Sequence, residues 1–530
     1  MSPRFLVSSL AALILSGCGE SRLAVKLVDE TKSGQLTEAQ GTVEDLYGTD
    51  SDDTLLKGMQ QGMLAHLQGD FADSGLKLDA TAPLVDELRG VHVGDAIVSS
   101  LYNDTISTYV GKPYEHTQID YYRTLNSILA AEQADGRWVP PTIMVPPGQP
   151  LLQSKTIDPF IGYQNSIIYA RRMTINQLQE TEDAKESARY DDDPFARLLT
   201  AIAVYCLAPN ERVESDQQLA NAMLTRALAA YKKQQETLGK SGEPFRYEVH
   251  GIPELATHLY LRNLHGYDPE LFATEVTKLG FTADDPRIVP AAGSGAVLIL
   301  NHEGLIARPE PLQIGIGAVG FEAKDSTSFT WGSIVFFAKG PGSEIAKSWI
   351  ALPIPGDAVQ KVLAPGGAAI IGFEIPVHAT DAPLGGPATA TVGSISRTGE
   401  VVCDLDAYAR SQLKDAQPGL LLKTLLRVVA KQGIVAVGAS QAKNRNSGSE
   451  GELLAFLVNL FGSLLATATE SADLRAWTTL PNHVSGSLID LPAGTYPISI
   501  TTMSGTHSLG SVQVQADRLT LISVRTMPLR

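Results

Sequence analysis

The sequence predicts an α+β protein: an N-terminal array of α-hairpins, followed by an antiparallel β domain with an inserted helical hairpin. Three observations carry this. From Thr54 to about Pro286 the apolar residues recur mostly at helical spacing. From about Ala291 onward glycine, proline and β-branched residues dominate, in short runs broken by turn signals. Residues 418–470 interrupt that β region with two strongly apolar stretches of helical length around a polar, glycine-bearing connection. The expected division is 1–17, an export signal; 18–53, a tether and lead-in; 54–290, the helical domain; and 291–530, the β-rich domain carrying hairpin 418–470.

At the N-terminus, Arg4 precedes an apolar run from Phe5 to Leu15, the layout of an export signal and too short to span a bilayer. Leu15-Ser16-Gly17-Cys18 then matches the bacterial lipobox, in which small residues precede a cysteine that is acylated and becomes the mature N-terminus. An ordinary signal peptidase would need no cysteine there. Gly19 follows, not the aspartate that retains lipoproteins in the inner membrane, so the outer membrane, facing the periplasm, is the expected site. Residues 19 to 53 are polar and acidic, ending in "YGTDSDD".

Composition suits an exported globular chain of 530 residues, 44% hydrophobic. A formal charge of −16 argues against nucleic acid as a partner and supplies no attraction to anionic lipid, so membrane affinity has to come from Cys18. Cys206 and Cys403 lie in different halves of the chain and read as two small buried hydrophobes, with a bridge between them the alternative in an oxidising compartment.

The helical region reads as three hairpins. In "LLKGMQQGMLAHLQGDFADSGLKLDAT", Gly62 stands where two helices approach closely, Gly69-Asp70-Phe71 makes the turn and plants an aromatic, and Ser74 and Leu78 alternate small and large on the second helix. That order matches one tetratricopeptide-like unit. A second pairs "HTQIDYYRTLNSILAAEQ", with Tyr121, Leu125, Ile128 and Leu129 on one apolar face, with "FIGYQNSIIYARRMTINQLQE". Between them "DGRWVPPTIMVPPGQP" holds too many prolines for helix and reads as an inserted loop. A third runs from "DDDPFARLLTAIAVYCLAP" to "QQLANAMLTRALAAYKKQ".

Several stretches invite a chemical reading. Asp191-Asp192-Asp193 precedes Pro194, so an acidic helix start explains it better than a metal site. "GPGSEIAKS" lacks the glycine a phosphate loop needs before Lys347, where Ala346 stands. Ser411 and Lys414 have the spacing of penicillin-recognising enzymes, but no Lys-Thr-Gly follows. His258 and His265 can share a helix face, yet no third ligand is spaced to complete a metal site. His302 and Glu303, in "LNHEGLI", fall at a strand end. No assembled catalytic constellation and no cofactor or metal motif is legible.

In the inserted hairpin, Lys423, Arg427 and Lys431 form one polar stripe on "PGLLLKTLLRVVAKQGIVAVGA". A lipid-facing basic stripe is costly, so packing against the rest of the chain is expected in preference to a transmembrane hairpin. The β region repeats one grammar in "GAVLILNHEG", "SIVFFAKG", "AAIIGFEIPV" and "LPAGTYPISI": an apolar or alternating strand closed by a glycine or proline turn.

The lipobox at Cys18, the repeat around "QGMLAHLQGDF", the strand "GAVLILNHEG", the hairpin, and "ATESADLRAWTTLP" before "LPAGTY" together resemble an uncharacterised family of bacterial outer-membrane-type lipoproteins with tetratricopeptide-like N-terminal halves. The insertion near residues 132–160 departs from that family's compact second repeat. The resemblance implies no enzymatic activity and no catalytic residue. It implies an envelope scaffold, with members found beside lipoproteins linked to peptidoglycan synthesis. The expectation is a membrane-tethered, non-enzymatic periplasmic scaffold that binds protein or peptide. The alternative is an envelope hydrolase or glycan-processing enzyme whose site gathers at the junction of the halves, with Glu303, His302 and Glu374 first to test.

Overall fold

The computed structural model describes residues 22–48, 53–99, 108–140, 143–144, 149–150, 157–183, 193–238, 249, 251–320, 332–339, 346–352, 369–378, 388–413, 473–503 and 505–527. Within them the chain is mixed α+β with sheets built largely from antiparallel pairs. Cys18 and the hairpin expected over 418–470 lie outside the described residues.

Helices fill the first half: α1 (22–32), α2 (Leu36–Tyr47), α3 (Thr54–Leu67), α4 (Phe71–Ser99), α5 (Pro113–Ala134), α6 (Pro159–Asp183), α7 (Pro194–Cys206), α8 (Glu214–Leu238), α9 (Glu254–Tyr267) and α10 (Pro269–Lys278). From α2 to α10 each helix packs on the next. Three of them begin with Asp-Pro. Asp193 accepts from the amides of Phe195 and Ala196, Asp268 from Leu271, and Asp158 from Phe160, while proline takes the first turn where no amide is needed. The acidic start at Asp193 is therefore a helix cap.

The turn between α3 and α4 uses Gly69 at φ +78°, and Asp70 caps α4 through the amide of Asp73. Gly62 faces Leu78 across the two helices: a Cβ there would lie 2.6 Å from Leu78 Cδ2, and Ser74 Oγ donates to the Gly62 carbonyl at 2.6 Å. Phe71 is buried behind the turn. Gly62→Leu is expected to lower stability by about 1–3 kcal/mol through overpacking. An unchanged thermal midpoint in the purified protein would show that the contact carries no such constraint.

Two sheets and a short ribbon complete the well-packed body. One sheet has the order β11–β12–β4–β15, from β11 (Glu400–Asp404), β12 (His483–Pro492), β4 (Ser294–Glu303) and β15 (Leu519–Thr526). The other is β1–β14–β13–β9–β10, from β1 (Trp138–Val139), β14 (Gly505–Val514), β13 (Gly494–Thr502), β9 (Thr389–Val392) and β10 (Ile395–Thr398). Ribbon β2–β3 joins Ile143–Met144 to Gln149–Pro150. A further sheet has the order β7–β6–β5–β8, from Ala346–Leu352, Gly332–Lys339, Pro309–Gly320 and Ala369–His378. Helix α11 (405–413) follows β11, and the Asp404 side chain caps it by accepting from Ala407 N.

Strand β4 explains how the halves join. All ten of its residues are buried, because α5, α7 and α9 cover its sheet from one side and β14 packs against it from the other sheet. A strand covered on both faces reads as a continuous apolar run, as "GAVLIL" does. Residues Leu298, Leu300 and His302 share one face by strand alternation, and a Cβ on the neighbouring Gly486 would meet Leu255 of α9, which fixes that face as the helix side.

Three expectations need correction. Residues 22–47, expected within a tether, form α1 and α2, and Leu27, Leu36, Ala39 and Val43 bury an apolar face there. The proline-rich insertion is not wholly loop: β1 adds an edge strand to the second sheet, pairing Trp138 with Val512 and Val139 with Ser511, and β2 pairs β3. Proline spacing obscured the two residues able to pair. Nor is the pairing entirely antiparallel, since β15 runs parallel to β4 from Leu519–Ala296 to Thr526–Glu303.

Candidate functional site

Of the residues the sequence offered for chemistry, His302 alone stands in a buried polar cluster, at the seam between the helices and the β4 sheet. There α3 and α5 bring His66, Tyr121, Tyr122 and Asn126 against His302, Ser523 and Arg525 on the sheet. The Tyr121 hydroxyl lies 2.8 Å from His302 Nε2, and Ser523 Oγ lies 3.2 Å from His302 Nδ1. The His66 ring stands 6.5 Å from that of His302, with His66 Nδ1 2.6 Å from Asn126 Oδ1. Asn126 donates onward to Ser74 Oγ, and Arg525 Nη2 donates to the Thr479 carbonyl.

Burial sets the protonation here. It pulls His66 down to about 4, and His302 well below the ordinary histidine value with help from neighbouring His66 and Arg525. Burial pushes Tyr121 up, so its hydroxyl keeps its proton. Neutral His302 has one ring proton and two ring nitrogens, one against Tyr121 and one against Ser523. His302 and Ser523 are also closed off from solvent. The arrangement ties α5 to β4 and β15.

These histidines give a pH dependence. A folded value below the unfolded one means that the unfolded chain binds more protons, so stability falls as pH drops from about 6.5 through about 4. Each such histidine contributes up to about 1.4 kcal/mol per pH unit inside its window. Glu132, pushed up to about 7 by burial, works the other way between its ordinary value and neutrality. The expected readout is therefore a difference. His66→Gln, which can still donate to Asn126, should flatten the fall in denaturant midpoint between pH 7 and pH 5. Equal slopes in wild type and variant would contradict a neutral buried His66.

Glu303 turns to the other face of β4. Its Oε2 lies 3.0 Å from His483 Nε2 on the adjacent strand, and Asn301 Nδ2 donates to its Oε1 at 2.7 Å. Glu374 lies on β8 of a separate sheet, in register with Gln313. His302 and Glu303, adjacent in sequence, thus serve opposite faces of one strand. His258 stacks edge-on to Phe281, and His265 to Phe272. Cys206 and Cys403 are free thiols, both buried. Among the described residues no group of histidine, cysteine and acidic side chains is placed to hold a metal ion, and no helix is long and apolar enough to cross a membrane.

Two features of the surface and seam were not read from the sequence. One is the fully buried Arg137. The other is the outer face of α6. Its inner face is fixed on α5: a Cβ on Gly162 would lie 2.9 Å from Ala131 Cβ, and His116 Nδ1 lies 2.7 Å from Glu180 Oε1. Outward, Phe160, Ile161, Ile168, Ile175 and Leu178 are each 47–59% exposed. Arg171 and Arg172 border this stripe, held by Asp216 of α8 and Asp86 of α4 at 2.9 Å each. Isoleucines seven residues apart were a legible signal, masked by the equally apolar buried face beside them.

The chain matches no family model, no curated protein and no solved structure.

Proposed function

We propose that this protein is a lipid-anchored scaffold of the bacterial envelope, tethered through Cys18 and facing the periplasm, whose tetratricopeptide-like helical array docks another protein. The observation that carries the docking is the α6 stripe: five large apolar side chains, about half exposed, on a helix rigidly seated from behind. Large apolar side chains exposed together along one helix, not scattered singly over the surface, mark an interaction site. Pinning both arginines with neighbouring aspartates leaves the stripe preorganised, which lowers the cost of association. The lipobox carries the tether, and the resemblance to envelope lipoproteins supports a role in cell-envelope or peptidoglycan assembly.

A photo-crosslinking amino acid at position 168, used in intact cells, tests the docking face. A discrete adduct is expected, lost when Ile161 and Ile175 are both changed to arginine. The same adduct from a position on the exposed side of α8, such as Gln217, would overturn the assignment of α6. Mass spectrometry of the mature N-terminus tests the tether, since an unmodified chain beginning elsewhere than Cys18 excludes it.

A further inference from the structure

We infer that the lipid on Cys18 holds the helical body directly against the membrane, one end of the array resting on the lipid headgroups and the second sheet turned away. This rests on the reading of Cys18 as the anchor and adds the body's orientation and its contact surface. Helix α1 begins at residue 22, so three residues, Gly19, Glu20 and Ser21, separate it from Cys18. The steps from Cys18 to Arg22 span at most about 14 Å in any conformation. A tether running to residue 53 would have reached roughly 120 Å.

The position of α1 selects the end. Residues 33–35 join α1 to α2, and a connection that short turns the second helix back along the first. The start of α1 therefore lies beside the end of α2. Lys57, in the first turn of α3, donates to Glu44 Oε2 and to the Gly48 carbonyl at 2.6 Å each, so α3 begins there too. Arg475 Nη1 donates to Asp53 Oδ1 at 2.6 Å, and Lys112 Nζ to the Arg475 carbonyl at 3.2 Å, which brings in the start of α5. The opposite end holds the turns at Gly34 and Gly69, with Trp138 of β1 against Phe71. With α5 22 residues long, about 33 Å separates the two ends.

Charge limits the contact to the headgroup layer. Arg22 and Lys26, the first cations after the anchor, are both exposed and stand one turn apart on α1, where lipid phosphates can meet them. The α2–α3 connection at the same end carries Asp50, Asp52 and Asp53. Carboxylates are costly in hydrocarbon, so this end rests on the surface without entering it.

Fluorescence quenching of the acylated full-length protein tests this, in phosphatidylethanolamine–phosphatidylglycerol vesicles that carry a headgroup-nitroxide lipid. A bimane is placed on single introduced cysteines at exposed positions, with wild type, whose Cys206 and Cys403 are buried, as the background control. Asp45→Cys, in the last turn of α2, should lose most of its emission. Ser33→Cys, in the α1–α2 turn, and Ala134→Cys, at the end of α5, should keep theirs. Inserting about 30 glycine and serine residues after Gly19, an r.m.s. reach of about 30 Å, should restore emission at position 45 while the protein stays on the vesicles. Equal quenching at positions 45 and 134 would overturn the orientation. Wild type without lipid at Cys18 would overturn the anchor, and this inference with it. Lipid present at Cys18, with no quenching at position 45, would leave the anchor standing and overturn only the inference.

Discussion

Arg137→Met is expected to cost about 3–5 kcal/mol, because it strands a buried carboxylate. Arg137 and Glu132 have no exposed side-chain surface and face each other at 3.3 Å. The guanidinium donates to the Leu519 carbonyl and Thr520 Oγ1 at 2.6 Å each, to Tyr163 OH at 3.1 Å and to the Cys206 carbonyl at 3.2 Å. One side chain thus satisfies α6, the end of α7 and strand β15 together. Glu132 in turn accepts from the Leu521 amide. Burial pushes Glu132 up to about 7, with Arg137 pulling against it.

Removing Arg137 removes that pull, so the folded carboxyl holds its proton to still higher pH. The folded state then binds more protons than the unfolded one, and stability falls as pH rises above the ordinary carboxylate value. The loss in Arg137→Met should accordingly be larger at pH 8 than at pH 5. The double variant with Glu132→Leu should recover part of it, since an apolar pair leaves no charge stranded. Guanidinium midpoints at the two pH values decide the matter. A loss below about 1 kcal/mol, or one independent of pH, would mean that the pair is not a buried ionic contact.

How much of this was legible in the sequence depends on the range of the cause. Local causes read well. The Asp193-Pro194 start of α7 and the Gly69 turn follow from residues within a few positions of one another, and Gly62 meets Leu78 on the next helix of the same hairpin. The tether stretch misled because its polar, acidic composition hides the narrow apolar face Leu27, Leu36, Ala39 and Val43. His302 and Glu303 drew notice as a chemical pair. A strand sends neighbours to opposite faces, so adjacency in sequence became separation in space. Arg137 could not be read at all: its partners Leu519 and Thr520 are 382 and 383 residues away. The only hint was a basic and an aromatic residue side by side in a proline-rich stretch.

The aromatic residue of that stretch carries the last expectation. Trp138→Ala should destabilise the protein by about 3–5 kcal/mol and release β1 from β14. Trp138 is 1% exposed, its indole Nε1 donates to the Leu509 carbonyl at 3.0 Å, and its ring lies 6.2 Å from that of Phe71 behind the α3–α4 turn. It therefore pins the first helical hairpin to the far end of the chain. Beside it, Gly510 sits at φ +87°, where a Cβ would come within 2.0 Å of the Val139 carbonyl oxygen. Glycine is required there on both counts. Gly510→Ala should reproduce the release of β1 with the indole intact, which separates strand pairing from ring burial. Trp138→Phe should lose less, about 1–3 kcal/mol, by keeping most of the volume and leaving one buried carbonyl unpaired. Hydrogen exchange reads the release directly, because the Gln513 amide donates to the Arg137 carbonyl at 2.9 Å only while β1 is seated. Trp138→Ala and Gly510→Ala should each lose protection at Gln513, and Trp138→Phe should keep it. Full protection at Gln513 in Trp138→Ala would show that β1 stays on β14 without the indole, held by its backbone pairing alone.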